Sequence, residues 1–204
     1  SPGVKATALP LQLLRLLRPH QWVKNGFVFI GLLFSDVGDN WGLRGDVFLA
    51  AAGFCLLSSC VYVLNDIFDR KADRAHPLKR RRPIASGTVG TGEALALALV
   101  CATAGLALGA AASVRVAAIL SAYLLLNLAY SAGLKHVAIL DVFIIAAGFM
   151  LRIFAGTWGV GIAPSQWLLL CGLLLTIFLG FAKRRAELMV SEGDGSTGAS
   201  QRPV

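Results

Sequence analysis

Acidic residues, histidines and closely spaced cysteines are all scarce in this 204-residue chain, and each shortage removes a class of protein. Charged residues make up 15% of the chain against 56% hydrophobic ones, with a mean hydropathy of +0.70. A soluble domain carries about 25% charged residues, which sets aside an ordinary water-soluble enzyme, a disordered chain and a coiled coil. Cys55, Cys60, Cys101 and Cys171 sit in apolar runs with no CxxC pair and no neighbouring His. They read as small packing residues, neither a zinc site nor a disulfide frame. The 11 acids face 19 bases, a net charge of +8, so a partner rich in negative charge is expected. Nucleic acid is set aside, because the bases fall where membrane topology demands them and lack interleaved aromatics.

What the chain does have is long apolar runs. A membrane-crossing helix needs about 20 mostly apolar residues. Segments 47–64, 94–114 and 116–134 contain no charge, and neither does 153–182. The last run is broken by Gly156, Gly159, Gly161 and Pro164, a turn signal, so it divides into spans at roughly 138–157 and 165–183. Residues 22–37 supply a shorter first span. The expectation is an all-α, polytopic membrane bundle of six spans over residues 1–190, followed by a polar Gly/Ser-rich tail at 191–204. The N-terminus has basic residues but no apolar core leading to a cleavage site, so it reads as no cleavable signal. The absent initiator Met reads as trimming. Sixteen of the 19 Lys and Arg residues fall on one side of these spans. The positive-inside rule then places both ends of the chain in the cytoplasm. Gly105 and Gly109 form a small-xxx-small pair suited to close helix packing.

The informative stretch is Asn65-Asp66-Ile67-Phe68-Asp69-Arg70-Lys71-Ala72-Asp73, at the cytoplasmic end of the second span. On a continuing helix Asp66 and Asp73 point nearly the same way, with Asp69 about 60° from Asp66. Asn65, Asp69 and Asp73 follow an i, i+4, i+8 row. Three like charges on one face require a positive partner. Hard oxygen ligands suit Mg²⁺, which takes one or two carboxylates plus substrate phosphates. The competing reading is a solvated helix end whose acids pair with Arg70, Lys71 and Arg74. The loop continues through His76 and Pro77 to Lys79-Arg80-Arg81-Arg82-Pro83, cations suited to phosphate oxygens. Carboxylates and phosphate-binding cations in one loop are what a diphosphate site requires. His76, with no second His or Cys spaced to join it, reads as a residue that holds the loop.

The Asn65–Asp73 stretch resembles the first aspartate motif, NDxxDxxxD, of the UbiA superfamily of intramembrane prenyltransferases. Three further stretches resemble its decaprenyl-phosphate phosphoribosyltransferase branch. They are Arg18-Pro19-His20-Gln21-Trp22-Val23-Lys24-Asn25, then Asp73-Arg74-Ala75-His76-Pro77-Leu78-Lys79-Arg80 through Ile84, and Lys183-Arg184-Arg185-Ala186-Glu187-Leu188. The resemblance implies a helical bundle around a cavity open to the cytoplasm of a bacterial membrane. It implies transfer of 5-phosphoribosyl from phosphoribosyl pyrophosphate to a polyprenyl phosphate such as decaprenyl phosphate, a step toward cell-wall arabinan. Where other members carry a second aspartate motif, this chain is mainly basic, as two anionic substrates would favour. Family members usually have nine spans, so six reads as a fragment or a short form.

By this resemblance Mg²⁺ is held by Asp66, Asp69 and Asp73 with Asn65 in support. Lys79, Arg80, Arg81 and Arg82 face the donor's phosphates, and Lys24, Asn25, Lys135, Lys183 and Arg184 face the phosphate of either substrate. Tyr130, Asp141, Arg152 and Glu187 are further cavity candidates. Asp141 and Arg152 lie 11 residues apart on one helix face, about 16 Å, too far to pair. Two alternatives stand beside this reading. One is a UbiA-type prenyltransferase joining a prenyl diphosphate to an aromatic or other small acceptor, and the other is a non-catalytic assembly subunit. Self-association is left open.

Overall fold

A computed structural model describes residues 3–34, 40–132 and 138–198. The helices are α1 (Gly3–Leu17), α2 (Ile30–Phe34), α3 (Trp41–Phe68), α4 (Arg70–Ala75), α5 (Thr91–Ala112), α6 (Val114–Ala132), α7 (Ala138–Ala155) and α8 (Gln166–Gly198). Among the described residues α3, α5, α6, α7 and α8 are long and apolar enough to cross a membrane. This matches five of the six expected spans.

The first expected span differs in kind. Residues Pro19–Phe29 wind as a 3-10 helix and pass directly into α2. Pro19 opens this segment, where its missing N–H is no loss. At about 2.0 Å per residue for the 3-10 part and 1.5 Å for α2, the 16 residues reach about 30 Å. That equals the thickness of the hydrocarbon layer. Among the described residues, however, this segment is not one of the helices long and apolar enough to cross a membrane.

Asn40 opens α3, its Oδ1 accepting the Leu43 N–H at 3.1 Å. This helix is the centre of the bundle, packing on α5, α6, α7 and the 3-10 segment. Its buried face (Val47, Ala50, Phe54, Leu57 and Val61) meets Val28, Val116, Leu120, Tyr123 and Ala155 in the main core. A second cluster gathers Leu16, Cys60, Val63, Ile84, Val89, Ala94, Ala98 and Cys101 at the other end of α3. All four cysteines are free. Cys60 and Cys101 are packing residues as expected, whereas Cys171 is exposed on α8.

Two glycine crossings set the helix spacing. A Cβ on Gly105 of α5 would stand 3.0 Å from the Gly53 carbonyl of α3, and Gly109 faces Leu120, so the small-residue pair does bring helices together. At the other crossing a Cβ on Gly156 would strike the Val28 carbonyl, and one on Gly31 would strike the Gly156 carbonyl. The end of α7 thus lies backbone to backbone against the 3-10 segment and α2. The turn read from Gly156, Gly159, Gly161 and Pro164 is present, with Gly161 left-handed at φ 93°. α8 runs on to Gly198, so the polar stretch from residue 191 is helical that far.

Candidate functional site

The acidic row forms as the helical spacing predicts. α3 ends at Phe68, yet the Asp69 N–H donates to the Asn65 carbonyl at 2.8 Å and the Asp73 N–H to the Asp69 carbonyl at 2.8 Å. The helical path therefore carries through the break into α4. Asp66 and Asp73 are both buried at 3% exposure. Their oxygens converge on one nitrogen, because Arg82 Nη1 donates to Asp66 Oδ1 at 3.1 Å and to Asp73 Oδ2 at 2.8 Å. Arg18 Nη2 donates to the same Asp66 oxygen at 2.7 Å. Among the described residues no group of three or more His, Cys, Asp or Glu side chains is assembled for a metal. Asp66 and Asp73 thus meet as a pair across a shared cation, without Asp69 completing a cage, since crowding three like charges would cost more than sharing arginines. The acids' partners also differ from the solvated-helix reading. Arg74 Nε donates instead to the Ala85 carbonyl at 3.0 Å, pinning the loop.

Of the four consecutive bases, Arg82 turns back to the acids and is half-buried, while Lys79, Arg80 and Arg81 are exposed on a short 3-10 turn. His76 holds this turn as expected, its Nδ1 accepting the Leu78 and Lys79 N–H groups at 3.2 and 3.4 Å. Asn65 Oδ1 accepts the Ser131 hydroxyl of α6. On the preceding residue of α6, the Tyr130 hydroxyl donates to Asp141 Oδ1 of α7 at 2.6 Å.

Arg152 is 6% exposed in the bundle. Its Nε donates to Asn25 Oδ1 at 2.8 Å, Nη1 to the Gly148 carbonyl at 2.7 Å and Nη2 to the Tyr123 hydroxyl at 3.1 Å. The rings of Phe54, Tyr123 and Phe149 lie 4.9–5.5 Å from its guanidinium carbon. Asp141 and Arg152 accordingly have separate partners. Asn25 also donates toward Ser58 Oγ at 3.3 Å, which places its amide between Arg152 and α3. Lys24 lies within electrostatic reach of Lys183, Arg152 and Arg18. Arg184 is half-buried on α8. Lys135 and the Glu187 side chain lie outside the described residues.

Sequence reasoning missed two residues here. Arg18 breaks the chain between α1 and the 3-10 segment at φ 49°, ψ 58°, a left-handed conformation uncommon for a side chain larger than Asn, and stacks over Tyr62 at 5.3 Å. Strain held at one point beside buried acids is characteristic of functional positions. The second is Arg70, whose Nε is buried with no acceptor among the described residues. Arg70 follows Asp66 by four residues and so begins on the acids' face. An orphaned buried donor on this helical path fits an oxyanion ligand.

Comparison with known proteins completes the picture. The UbiA prenyltransferase family pattern matches residues 26–198. The decaprenyl-phosphate phosphoribosyltransferase of Corynebacterium glutamicum is 38% identical, covering 90% of this chain and 57% of that protein. Its counterpart in Mycolicibacterium smegmatis is 39% identical, covering 90% and 59%. The chain thus spans about three-fifths of the length of these relatives. A solved UbiA homolog from Archaeoglobus fulgidus, bound to DMAPP and Mg²⁺, superposes with a TM-score of 0.70 at 23% identity, covering 81% of this chain and 60% of that one. The chain belongs to the UbiA prenyltransferase family.

Proposed function

We propose that this protein works in a bacterial cell membrane, with the acid pair facing the cytoplasm. It transfers 5-phosphoribosyl from phosphoribosyl pyrophosphate to a polyprenyl phosphate such as decaprenyl phosphate, on the route to cell-wall arabinan. The observation that carries this reading is the convergence of Asp66 and Asp73 on one Arg82 nitrogen, with Arg18 on the same Asp66 oxygen. The names of the relatives at 38–39% identity support the choice of substrates.

The donor set fits Mg²⁺. Two buried carboxylates meet at a point already filled by an arginine nitrogen, and this ion takes one or two carboxylates with the rest from phosphates and water. Asp66 and Asp73 would hold it, with Asn65 and Asp69 beside them. When bound, it neutralises charge building on the departing pyrophosphate. Arg18, Arg70 and Arg82 bind the donor's phosphate oxygens, and Arg82 exchanges carboxylate for phosphate as it does so. The C1–O bond of the ribose breaks with its electron pair leaving on pyrophosphate, and a bond forms from C1 to an oxygen of the acceptor phosphate. That phosphate is anionic near neutral pH, so no base is needed, and alignment of the two substrates supplies much of the acceleration.

Membranes carrying the protein, given labelled phosphoribosyl pyrophosphate and a polyprenyl phosphate, are expected to place label in the lipid fraction only with Mg²⁺ present. Label from a prenyl diphosphate appearing on an aromatic acceptor instead would overturn the assignment. Arg70→Gln is expected to raise the donor KM about tenfold or more, because a hydrogen bond to a charged group contributes about 1.5–3 kcal/mol. Arg70→Lys should restore little, since lysine has no counterpart to Nε–H. Initial rates across donor concentration decide this.

A further inference from the structure

We infer that Arg82 and the divalent cation exclude one another at the acid pair, and that the donor's diphosphate is what draws Arg82 away. Metal and donor then enter in one event, and metal alone is kept out. This rests on the diphosphate site argued above and adds an order of binding to it.

The geometry starts from one nitrogen. Arg82 Nη1 stands 3.1 Å from Asp66 Oδ1 and 2.8 Å from Asp73 Oδ2, so among the described residues Arg82 is the cation that touches both carboxylates. Arg18 reaches Asp66 alone, at 2.7 Å. A metal ion held by these two acids needs the same oxygens. Both carboxylate side chains are 4% exposed, so water screens little of the repulsion between two cations drawn to them. One cation has to leave.

The loop lets the Arg82 side chain leave without the backbone following. Ile84 and Val89 are buried in the second core cluster. The Ala85 carbonyl accepts Arg74 Nε at 3.0 Å. The Ser86 N–H donates to the Arg82 carbonyl at 2.8 Å, and the Val89 N–H to the Pro83 carbonyl at 3.1 Å. None of these bonds passes through the guanidinium, and the Arg82 side chain is itself 31% exposed.

What the side chain meets outside decides when it goes. Lys79, Arg80 and Arg81 are exposed on the adjoining turn, so a guanidinium displaced there exchanges its carboxylates for like charge. A diphosphate reverses that balance, because its oxygens accept the N–H groups of the planar fork. Free metal must break two charge-assisted hydrogen bonds without replacement, whereas metal with diphosphate replaces them. By linkage each of the two ligands raises the other's affinity by the same factor.

Arg82→Gln tests this, because its expected effect changes sign between two arms. The protein in nanodiscs of neutral lipid is titrated with Mn²⁺, the free ion is followed by electron paramagnetic resonance, and binding that persists in Asp66→Asn is subtracted. With Mn²⁺ alone, Arg82→Gln is expected to bind about tenfold or more tighter than the unsubstituted protein. For the Mn²⁺–pyrophosphate complex, followed with labelled pyrophosphate by equilibrium dialysis, it is expected to bind about tenfold or more weaker. Arg82→Lys keeps the charge and should stay within about threefold of the unsubstituted protein in the first arm. Arg82→Met, also neutral, is expected to repeat both signs if glutamine disturbs folding. Weaker or unchanged Mn²⁺ binding in the first arm would overturn the inference, since Arg82 would then only position the acids. Tighter binding in both arms would overturn it too, since diphosphate would not be what draws Arg82 away. Neither arm contains an acceptor, so the two readings fail separately. The expected signs in a protein that transfers no phosphoribosyl would leave the exclusion standing and remove the reaction proposed above. Transfer with either contrary sign would do the reverse.

Discussion

Asp66→Asn is expected to lower phosphoribosyl transfer about a thousandfold, with the half-saturating Mg²⁺ concentration rising alongside. Asparagine keeps the shape and one oxygen acceptor for Arg18 but removes the charge on which Arg18 and Arg82 both converge. Losing one electrostatic stabiliser of a developing anion costs about 10²–10³ in rate, and weaker cation binding adds to it. Because Arg82 retains Asp73, the loop stays attached and the protein should still accumulate in membranes. A purely structural Asp66 would change the melting temperature and leave the Mg²⁺ dependence alone. Initial rates against Mg²⁺ concentration separate these outcomes, and full activity in the variant would remove the acid pair from the mechanism.

The second large effect is structural. Gly156→Ala is expected to destabilise the bundle by about 3 kcal/mol or more, the upper end for overpacking, because the added methyl meets the Val28 carbonyl. Backbone cannot rotate aside as a side chain does. Gly26→Ala, on the same 3-10 segment with nothing within 4 Å of the added carbon, should change stability by less than about 0.5 kcal/mol. Thermal unfolding of the two variants in one detergent checks the pair, and equal melting temperatures would mean that the α7 crossing is looser than described.

The parts of this molecule legible in sequence are those governed by local periodicity. Charge-free runs marked α3, α5, α6 and α8, an apolar stretch carrying only the charges of Asp141 and Arg152 marked α7, and helical spacing put Asp66 and Asp73 on one face. The absence of a second His or Cys near His76 pointed to its loop-holding bonds. What escaped notice depends on partners distant in the chain. Arg18 meets Asp66 across 48 residues and Arg152 meets Asn25 across 127, separations with no periodic signature. Arg70 was readable in principle, four residues after Asp66, but among so many bases it passed for a solvated cation. The Lys79–Arg82 run offered four equivalent cations, and only tertiary folding singles out Arg82. The 3-10 segment was missed because apolar length alone does not reveal how tightly a segment is wound.

That winding fixes the facing of Lys24. Relaxing the 11 residues of Pro19–Phe29 to an α-helix would shorten them by about 5.5 Å. It would also swing Lys24 about 60° away from Phe27 for the single three-residue step between them. The direction in which this lysine points therefore depends on the segment staying overwound, because residues three apart share a direction only in that winding.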